Sequence, residues 1–232
     1  MNPDQNKNEV ISLVAHELRT SLTSLKWMLK MFLDSDFGPI TEEQKNALLQ
    51  GFSQNEHMIE VVTDLINFSH SEESALAYKM EDTDLEELLD TVIKEFSSES
   101  FKRGVPVLFT KAAAPIMCKV DKDKIKVVFQ NLISNAIKYS RKGDGVEIAL
   151  TQTPSAVVVT IRDHGIGIPK EASGDIFTKF FRANNAKEKE SMGSGLGLYT
   201  AYTIAKHHNG DLAYTSTEGL GTTFTLTLPY TQ

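Results

Sequence analysis

Val14-Ala15-His16-Glu17-Leu18-Arg19-Thr20 lies in a run whose apolar residues recur at Ile11, Ala15, Leu18, Leu22, Leu25, Leu29 and Phe32, alternately four and three residues apart. That spacing is the seam of a coiled coil or helix bundle, so the segment is expected to be one long helix. Ser35 to Ile40 then carries Gly38 and Pro39, which break the pattern. Thr41, with Gln44 three residues on, reads as a capping box that starts a second helix. Leu48, Phe52, Asn55, Ile59, Val62 and Ile66 repeat the rhythm there. A lone hairpin of two amphipathic helices cannot cover both its seams, and pairing with a second copy into a four-helix bundle is the expected solution. Asn55 reads two ways, as a polar seam residue that fixes register or as a residue near the bundle surface.

The rhythm fades in Ser69-His70-Ser71-Glu72-Glu73-Ser74, and a polar linker is expected from Ser69 to Asp84, dividing the chain into residues 1–73 and 74–232. Beyond it Asp84 and Glu87 predict a capped helix through Phe96, Val105–Phe109 and Ile116–Val120 read as short strands, and Asp121 caps a helix running to Tyr139. Val146–Gln152 and Ala156–Arg162 are β-branched runs separated by Thr153, Pro154 and Ser155, which predicts a hairpin. A helix over Leu196–His208 stops at Asn209-Gly210, and Asp211–Thr217 and Thr222–Leu228 supply two more strands, with Gly219 and Gly221 in the turn. The mixture predicts an α+β chain: the helical hairpin, then a two-layer α/β sandwich with helices on one side of a largely antiparallel sheet.

A chain of 232 residues that is 41% hydrophobic has room for one large domain or two modest ones and can bury a real core. Its net charge of -7 and pI near 5.4 give no basic face for a phosphate backbone, so nucleic acid is not an expected partner. The single cysteine, Cys118, cannot form an internal disulfide, which fits a reducing compartment and a role as a small core filler. Leu25 to Leu33 is the most apolar N-terminal run, but Lys26 and Lys30 interrupt it, so neither a membrane span nor a signal peptide is expected. The chain is expected to be soluble and cytoplasmic, with no membrane contact of its own.

With Ala15 on the seam, His16 turns toward solvent, and Thr20 lies one helical turn along the same face. A neutral imidazole is nucleophilic near neutral pH, and Glu17 is placed to orient one ring nitrogen and take its proton as the other attacks. From this segment alone an ordinary surface histidine is the plainer reading. Zinc is excluded, because the metalloprotease motif needs a second histidine where Thr20 stands.

Asn131, Asn135 and Lys138 share one stripe of the helix after Asp121, while Ile125, Phe129, Leu132 and Ala136 line another. An asparagine carbonyl suits Mg²⁺ and a lysine ammonium suits phosphate, though a solvated helix face has the same pattern. Asp163-His164-Gly165-Ile166-Gly167 follows directly on a strand, putting a carboxylate where the glycines let a ligand such as adenine approach the backbone. Gly193-Ser194-Gly195-Leu196-Gly197 opens a helix whose N-terminal dipole suits phosphate. Either glycine motif alone is weak, and their order carries the signal. Between them, Ile176 to Arg182 and the polar segment Ala183 to Met192 read as a mobile lid hinged on aromatic residues, at least one of which is also plain core. His207 and His208 read as structural cations in a last helical turn, His57 as a helix-surface residue and His70 as a linker residue.

At this point the chain resembles, over nearly its whole length, the catalytic core of a two-component sensor histidine kinase. His16-Glu17-Leu18-Arg19-Thr20 resembles the family's H box, Asn131 to Tyr139 its N box, Asp163 to Gly167 the first glycine box, Phe177 to Arg182 the F box and Gly193 to Gly197 the second glycine box. The resemblance implies that His16 is the phosphoacceptor, that Glu17 assists as base, and that Thr20 orients water during dephosphorylation of the partner. It implies an ATP site made by Asn131, Asn135, Lys138, Tyr139, Asp163, Gly165, Gly167, Phe177, Phe180, Arg182, Gly193, Gly195, Leu196 and Gly197, with Asn135 binding Mg²⁺, Tyr139 beside the adenine and Asp163 recognising it. It also implies a homodimer through the helical stem and a response regulator receiver domain as partner. Ser21 departs from the family's usual proline; a serine bonding back to a carbonyl one turn earlier bends a helix only slightly. Two rivals share parts of the pattern: an ATPase clamp of the gyrase, Hsp90 and MutL type that phosphorylates nothing, and a docking scaffold or phosphatase that binds a regulator through its helices.

Overall fold

Apolar residues at helical spacing, interrupted once by a glycine-proline pair, produce α1 (Pro3–Leu33) and α2 (Glu42–Ser71) in a computed structural model of the chain. The structure describes residues 3–71, 78–111 and 115–230, with the side chains of α1 described from Leu13 onward. Ile11, expected on the seam, and the middle of the expected linker, residues 72–77, therefore lie outside the described residues and side chains. The chain divides into two compact units, residues 1–73 with 192–194, and residues 74–191 with 195–232. Among the described residues no helix is long and apolar enough to cross a membrane.

In the first unit the reversal uses left-handed backbone at Ser35 and Gly38, and the rings of Phe32 and Phe37 meet at 4.8 Å across it. The capping box forms as the sequence predicts. The Thr41 N–H donates to Gln44 Oε1 at 2.9 Å and the Gln44 N–H to Thr41 Oγ1 at 3.2 Å, satisfying two donors that the helix start leaves over. Of the two readings of Asn55 the seam position holds. The residue is buried and its Nδ2 donates to the Leu22 carbonyl at 2.9 Å, a polar bolt between the helices. The Lys26–Glu56 pair at 2.8 Å adds a second link. Ser21 makes no bond back along α1; Thr20, Thr23 and Ser24 do, each to the carbonyl four residues earlier, because their rotamers turn toward the preceding turn. His70 belongs to the last turn of α2 rather than to a linker, and His57 is half-buried, with its Nδ1 inaccessible to solvent.

In the second unit, β1 (Glu81–Asp84) leads into α3 (Leu85–Glu95), whose N-terminus is capped by Asp84 accepting from the N–H groups of Glu86 and Glu87. The short α4 (Ser97–Arg103) follows and ends at Gly104 in left-handed backbone. Then come β2 (Val107–Thr110), β3 (Met117–Val120) and α5 (Lys122–Tyr139), the last capped by Asp121. The hairpin β4 (Val146–Gln152) and β5 (Ala156–Arg162) falls on the residues expected of it. After a segment carrying α6 (Asn184–Lys189), the chain closes with α7 (Gly197–His207), β6 (Asp211–Thr217) and β7 (Gly221–Pro229).

The main sheet has the order β2-β4-β5-β7-β6, antiparallel except where β2 runs parallel to β4, and β1 pairs with β3 in a small second sheet. The apolar stripe of α5, including Ile125, Phe129, Leu132, Ile133 and Ala136, is buried in one core with Ile148, Ile161 and Leu226 of the sheet and Ala201 and Ile204 of α7. Cys118 is buried in the same core, as expected of a filler, and burial pushes its thiol above the ordinary value. The fold is thus a helical hairpin followed by a two-layer mixed α/β unit. The expected linker ends too late, because its last four residues, Glu81 to Asp84, are drawn into β1 by the ladder to β3.

Candidate functional site

On the hairpin, Ala15 is buried and the next residue, His16, is exposed, as a seam beside a solvent face requires. Glu17 and Thr20 are exposed beside it, and the Thr20 hydroxyl donates to the His16 carbonyl at 3.1 Å. The Glu17 carboxylate makes no bond to the imidazole; neighbours on a helix point about 100° apart, which keeps the two side chains on diverging rays.

The second unit gathers the asparagine motif, the first glycine motif and the Gly195–Gly197 end of the second around the C-terminal half of α5. Asn131, Asn135, Lys138 and Tyr139 are half-buried on the face away from the core stripe. The first glycine motif closes against the end of this helix: the Ile166 N–H donates to the Tyr139 carbonyl at 3.2 Å, and a Cβ on Gly165 would stand 2.2 Å from that same oxygen. Gly165 therefore cannot carry a side chain without opening the junction. The second glycine motif meets α5 two turns earlier, where a Cβ on Gly197 would lie 2.9 Å from Asn131 Oδ1. Leu196, buried at the start of α7, has an apolar side chain that cannot cap the helix, so the dipole's positive end is not quenched by a side chain there.

Asp163 is 6% exposed at the end of β5. Its Oδ1 accepts from the Gly165 N–H at 2.9 Å and from the Thr222 N–H at 3.2 Å. Burial pushes its carboxyl above the usual carboxylate range; the two N–H donors and the adjacent His164 pull back toward ionisation. The Asp163 peptide N–H donates to the Thr222 carbonyl at 2.8 Å, and the Thr222 and Ser216 hydroxyls lie 2.9 Å apart. Ser216 Oγ in turn accepts from the Ile168 N–H at 2.8 Å. Thr222 and Ser216 stand outside the boxes read from the sequence. The position of Thr222 after a glycine turn was the available signal, and only the β5–β7 ladder reveals what it touches.

The expected lid is more ordered internally than a polar loop. Phe177 stacks on Tyr202 at 4.9 Å and meets Tyr214 edge-on at 5.9 Å, so it is a core residue. Phe180 is 65% exposed in left-handed backbone, where its N–H donates to the Gly195 carbonyl at 3.1 Å. Arg182 points into the lid: its guanidinium donates to the carbonyls of Ala186 at 3.3 Å, Ser191 at 3.2 Å and, more closely, Glu190. Asn185 Nδ2 donates to the Gly167 carbonyl at 2.9 Å. Gly193 falls among residues 192–194, which group with the hairpin's unit rather than with the lid.

His208 is structural but not a cation. It is buried, its Nε2 accepts from the Asp121 N–H at 3.0 Å and its Nδ1 donates to the Ile204 carbonyl at 2.8 Å, which fixes a neutral tautomer. Burial holds its pKa below the ordinary histidine value. Its neighbour His207 pairs with the Tyr78 hydroxyl at 3.1 Å.

The family described as the His Kinase A (phospho-acceptor) domain matches residues 6–74, and that described as the histidine kinase-, DNA gyrase B- and HSP90-like ATPase matches residues 120–232. Sensor histidine kinase WalK of Bacillus subtilis (strain 168) is 31% identical over 233 residues, 98% of this chain and 37% of the relative. Sensor protein kinase WalK of Staphylococcus aureus is 32% identical over 232 residues, 97% of this chain and 54% of the relative. The chain thus spans only part of the length of these curated relatives. Among solved structures, Acinetobacter baumannii histidine kinase AdeS aligns at 26% identity with a TM-score of 0.63, over 94% of this chain and 98% of that one. Full-length ShkA in complex with AMPPNP shares the fold at a TM-score of 0.73 and 21% identity, over 97% of this chain and 46% of that one.

Proposed function

The chain belongs to the two-component sensor histidine kinases, and from that premise we propose that it transfers the γ-phosphoryl group of ATP to His16 and then to an aspartate of a response regulator receiver domain. Residues 1–73 serve as the dimerisation and phosphoacceptor hairpin and residues 74–232 as the catalytic domain. The observation that carries the reading is the junction of the asparagine helix with the first glycine motif. Gly165 lies against the Tyr139 carbonyl, and the buried Asp163 stands beside it with one carboxylate oxygen already oriented by two backbone donors.

Asp163 suits the exocyclic amine of adenine, and Tyr139 lies at the junction to flank the ring. Asn131, Lys138 and the glycines from Gly193 to Gly197 suit the phosphates. Asn135 fits Mg²⁺: its carboxamide has no hydrogen-bond partner among the described residues, so its carbonyl oxygen is available as a hard ligand. Among the described residues no group of three acidic, imidazole or thiol side chains is assembled to hold an ion without the nucleotide. When bound, the ion would neutralise charge on the phosphates.

In the transfer, one imidazole nitrogen of His16 forms a bond to the γ-phosphorus as the bond to the bridging oxygen breaks and ADP departs. The proton on the other ring nitrogen passes to Glu17 once a side-chain rotation brings the two together. Thr20, one turn along, is the residue to orient water when the same hairpin dephosphorylates the regulator. Two hairpins pair into a four-helix bundle, and the activity resides in the cytoplasm.

The test is incubation of the chain with γ-labelled ATP and Mg²⁺ beside a His16→Gln control. Label that survives alkali but not acid on the parent, and none on the control, is the expected result. Bound ATP with no label on either would replace this reading with a clamp or a scaffold.

A further inference from the structure

The lid helix α6 is fastened at both ends, and one fastening comes from outside every motif. At its start Asn185 reaches the Gly167 carbonyl at 2.9 Å. Beyond its end the Glu190 carboxylate accepts from Arg103 Nη1 at 3.0 Å, while Arg103 Nε is held by Glu99 Oε1, also at 3.0 Å. Arg103 is the last residue of α4, a helix with no fully buried residue. Both partners are about one-third exposed or less, which limits solvent screening of the pair. The guanidinium is oriented by Glu99 before it meets Glu190, which lowers the entropy lost on pairing. Arg182 donates to the carbonyls of Ala186, Glu190 and Ser191, which ties residues 186–191 together.

Only residues 191–196 separate Glu190 from Gly197, which packs on Asn131, and that short span holds Gly193 and Gly195. The anchor at Glu190 therefore sets how far the second glycine motif can swing. We propose that Arg103 is a positioning residue for the nucleotide site: acting through Glu190, it holds the lid helix down and slows nucleotide release. The inference rests on the reading of this unit as an ATP site and adds to it a control point on α4.

The test uses the full chain and two readouts. The first is stopped-flow dissociation of a fluorescent ADP analogue with Mg²⁺; the second is amide hydrogen exchange over residues 184–195 without nucleotide. Arg103→Gln and Glu190→Gln should each raise the dissociation rate about three- to tenfold, with association little changed, and speed exchange in α6. Arg103→Lys should recover part of the effect, and Arg103→Glu combined with Glu190→Arg most of it. Unchanged dissociation and exchange in both single variants would overturn the proposal, as would a charge swap that folds like the parent and restores neither. A parent chain that does not bind the analogue would overturn the nucleotide reading instead, while the exchange readout would still judge the fastening of α6.

Discussion

The hairpin and the α/β unit are finished to different degrees. Among the described residues of α1 and α2, Ala15 and Val62 are the buried apolar side chains, whereas Leu18, Leu25, Trp27, Met28 and Phe32 remain exposed. In the α/β unit the large side chains Phe129, Ile133, Ile148 and Ile161 are all but sealed from solvent. Both units repeat apolar residues at helical spacing, so pattern alone does not separate them. What differs is the surface each unit supplies within itself: α5 and α7 have a sheet to cover, and α1 and α2 have one another. That contrast supports a nucleotide site on a self-sufficient scaffold and an acceptor histidine on an element that a second copy completes.

The contrast breaks or sharpens first at Phe129. Phe129→Ala should cost about 3–5 kcal/mol in the α/β unit's unfolding transition, because the cavity lies between α5 and the sheet and cannot collapse. Leu220→Ala, at a site 71% exposed, should stay within about 0.5 kcal/mol. Denaturant unfolding followed in the sheet signal reads both, and comparable losses would deny the unit its finished core. Next is Leu25→Glu on the hairpin, expected to weaken self-association about a hundredfold or more in sedimentation while leaving nucleotide binding intact. A parent chain that sediments as a monomer at micromolar concentration would remove the reason for the hairpin's exposed seam.

Asp163 comes third and tests the self-sufficient unit against its own site. A folded pKa raised by burial means that its contribution to stability is fully present below the unfolded value near 3.9 and is lost as pH rises through the folded value. Above that folded value the ionised carboxylate is therefore a liability to the empty domain. Asp163→Asn keeps an oxygen for the Gly165 and Thr222 N–H groups, so the apo unfolding midpoint should hold or rise. ATP affinity should fall about ten- to a hundredfold, because the charged acceptor is gone. A variant that loses stability and affinity together would make Asp163 a structural residue.

Long periodic and β-branched segments were legible in the sequence because their residues carry the signal themselves: α1, α2, β4 and β5 lie where the spacing puts them. The segments that were not legible are short and polar. Glu81-Asp82-Thr83-Asp84 has no strand signal, and its state comes from pairing with β3, where Thr83 faces Cys118. Neither α4 nor α6 buries a residue, so neither has a stripe to read. The glycine and asparagine motifs were visible because close approach demands those residue types. Thr222, Ser216 and Arg103 were not, since each reaches its partner through register or a distant helix. His208 was placed by sequence at a helix end, but its neutrality follows from burial that the sequence does not print.

The smallest effect compares one capping device in the two units. Thr41 caps α2 in an exposed turn, and Thr41→Ala should cost about 1 kcal/mol, the value of one side-chain bond to a helix N–H. Asp121 caps α5 by accepting from the Lys124 N–H at 3.0 Å, but its other oxygen also takes the Lys79 N–H at 2.8 Å. Asp121→Ala therefore strips partners from two backbone donors, one of them on the segment leading into β1, and should cost about 2 kcal/mol or more. The difference arises because a cap in the finished unit is shared between elements, whereas the cap in the hairpin serves its own helix. Equal losses in thermal unfolding of the two variants would mean that the Lys79 bond contributes nothing, and that the sharing is geometric rather than energetic.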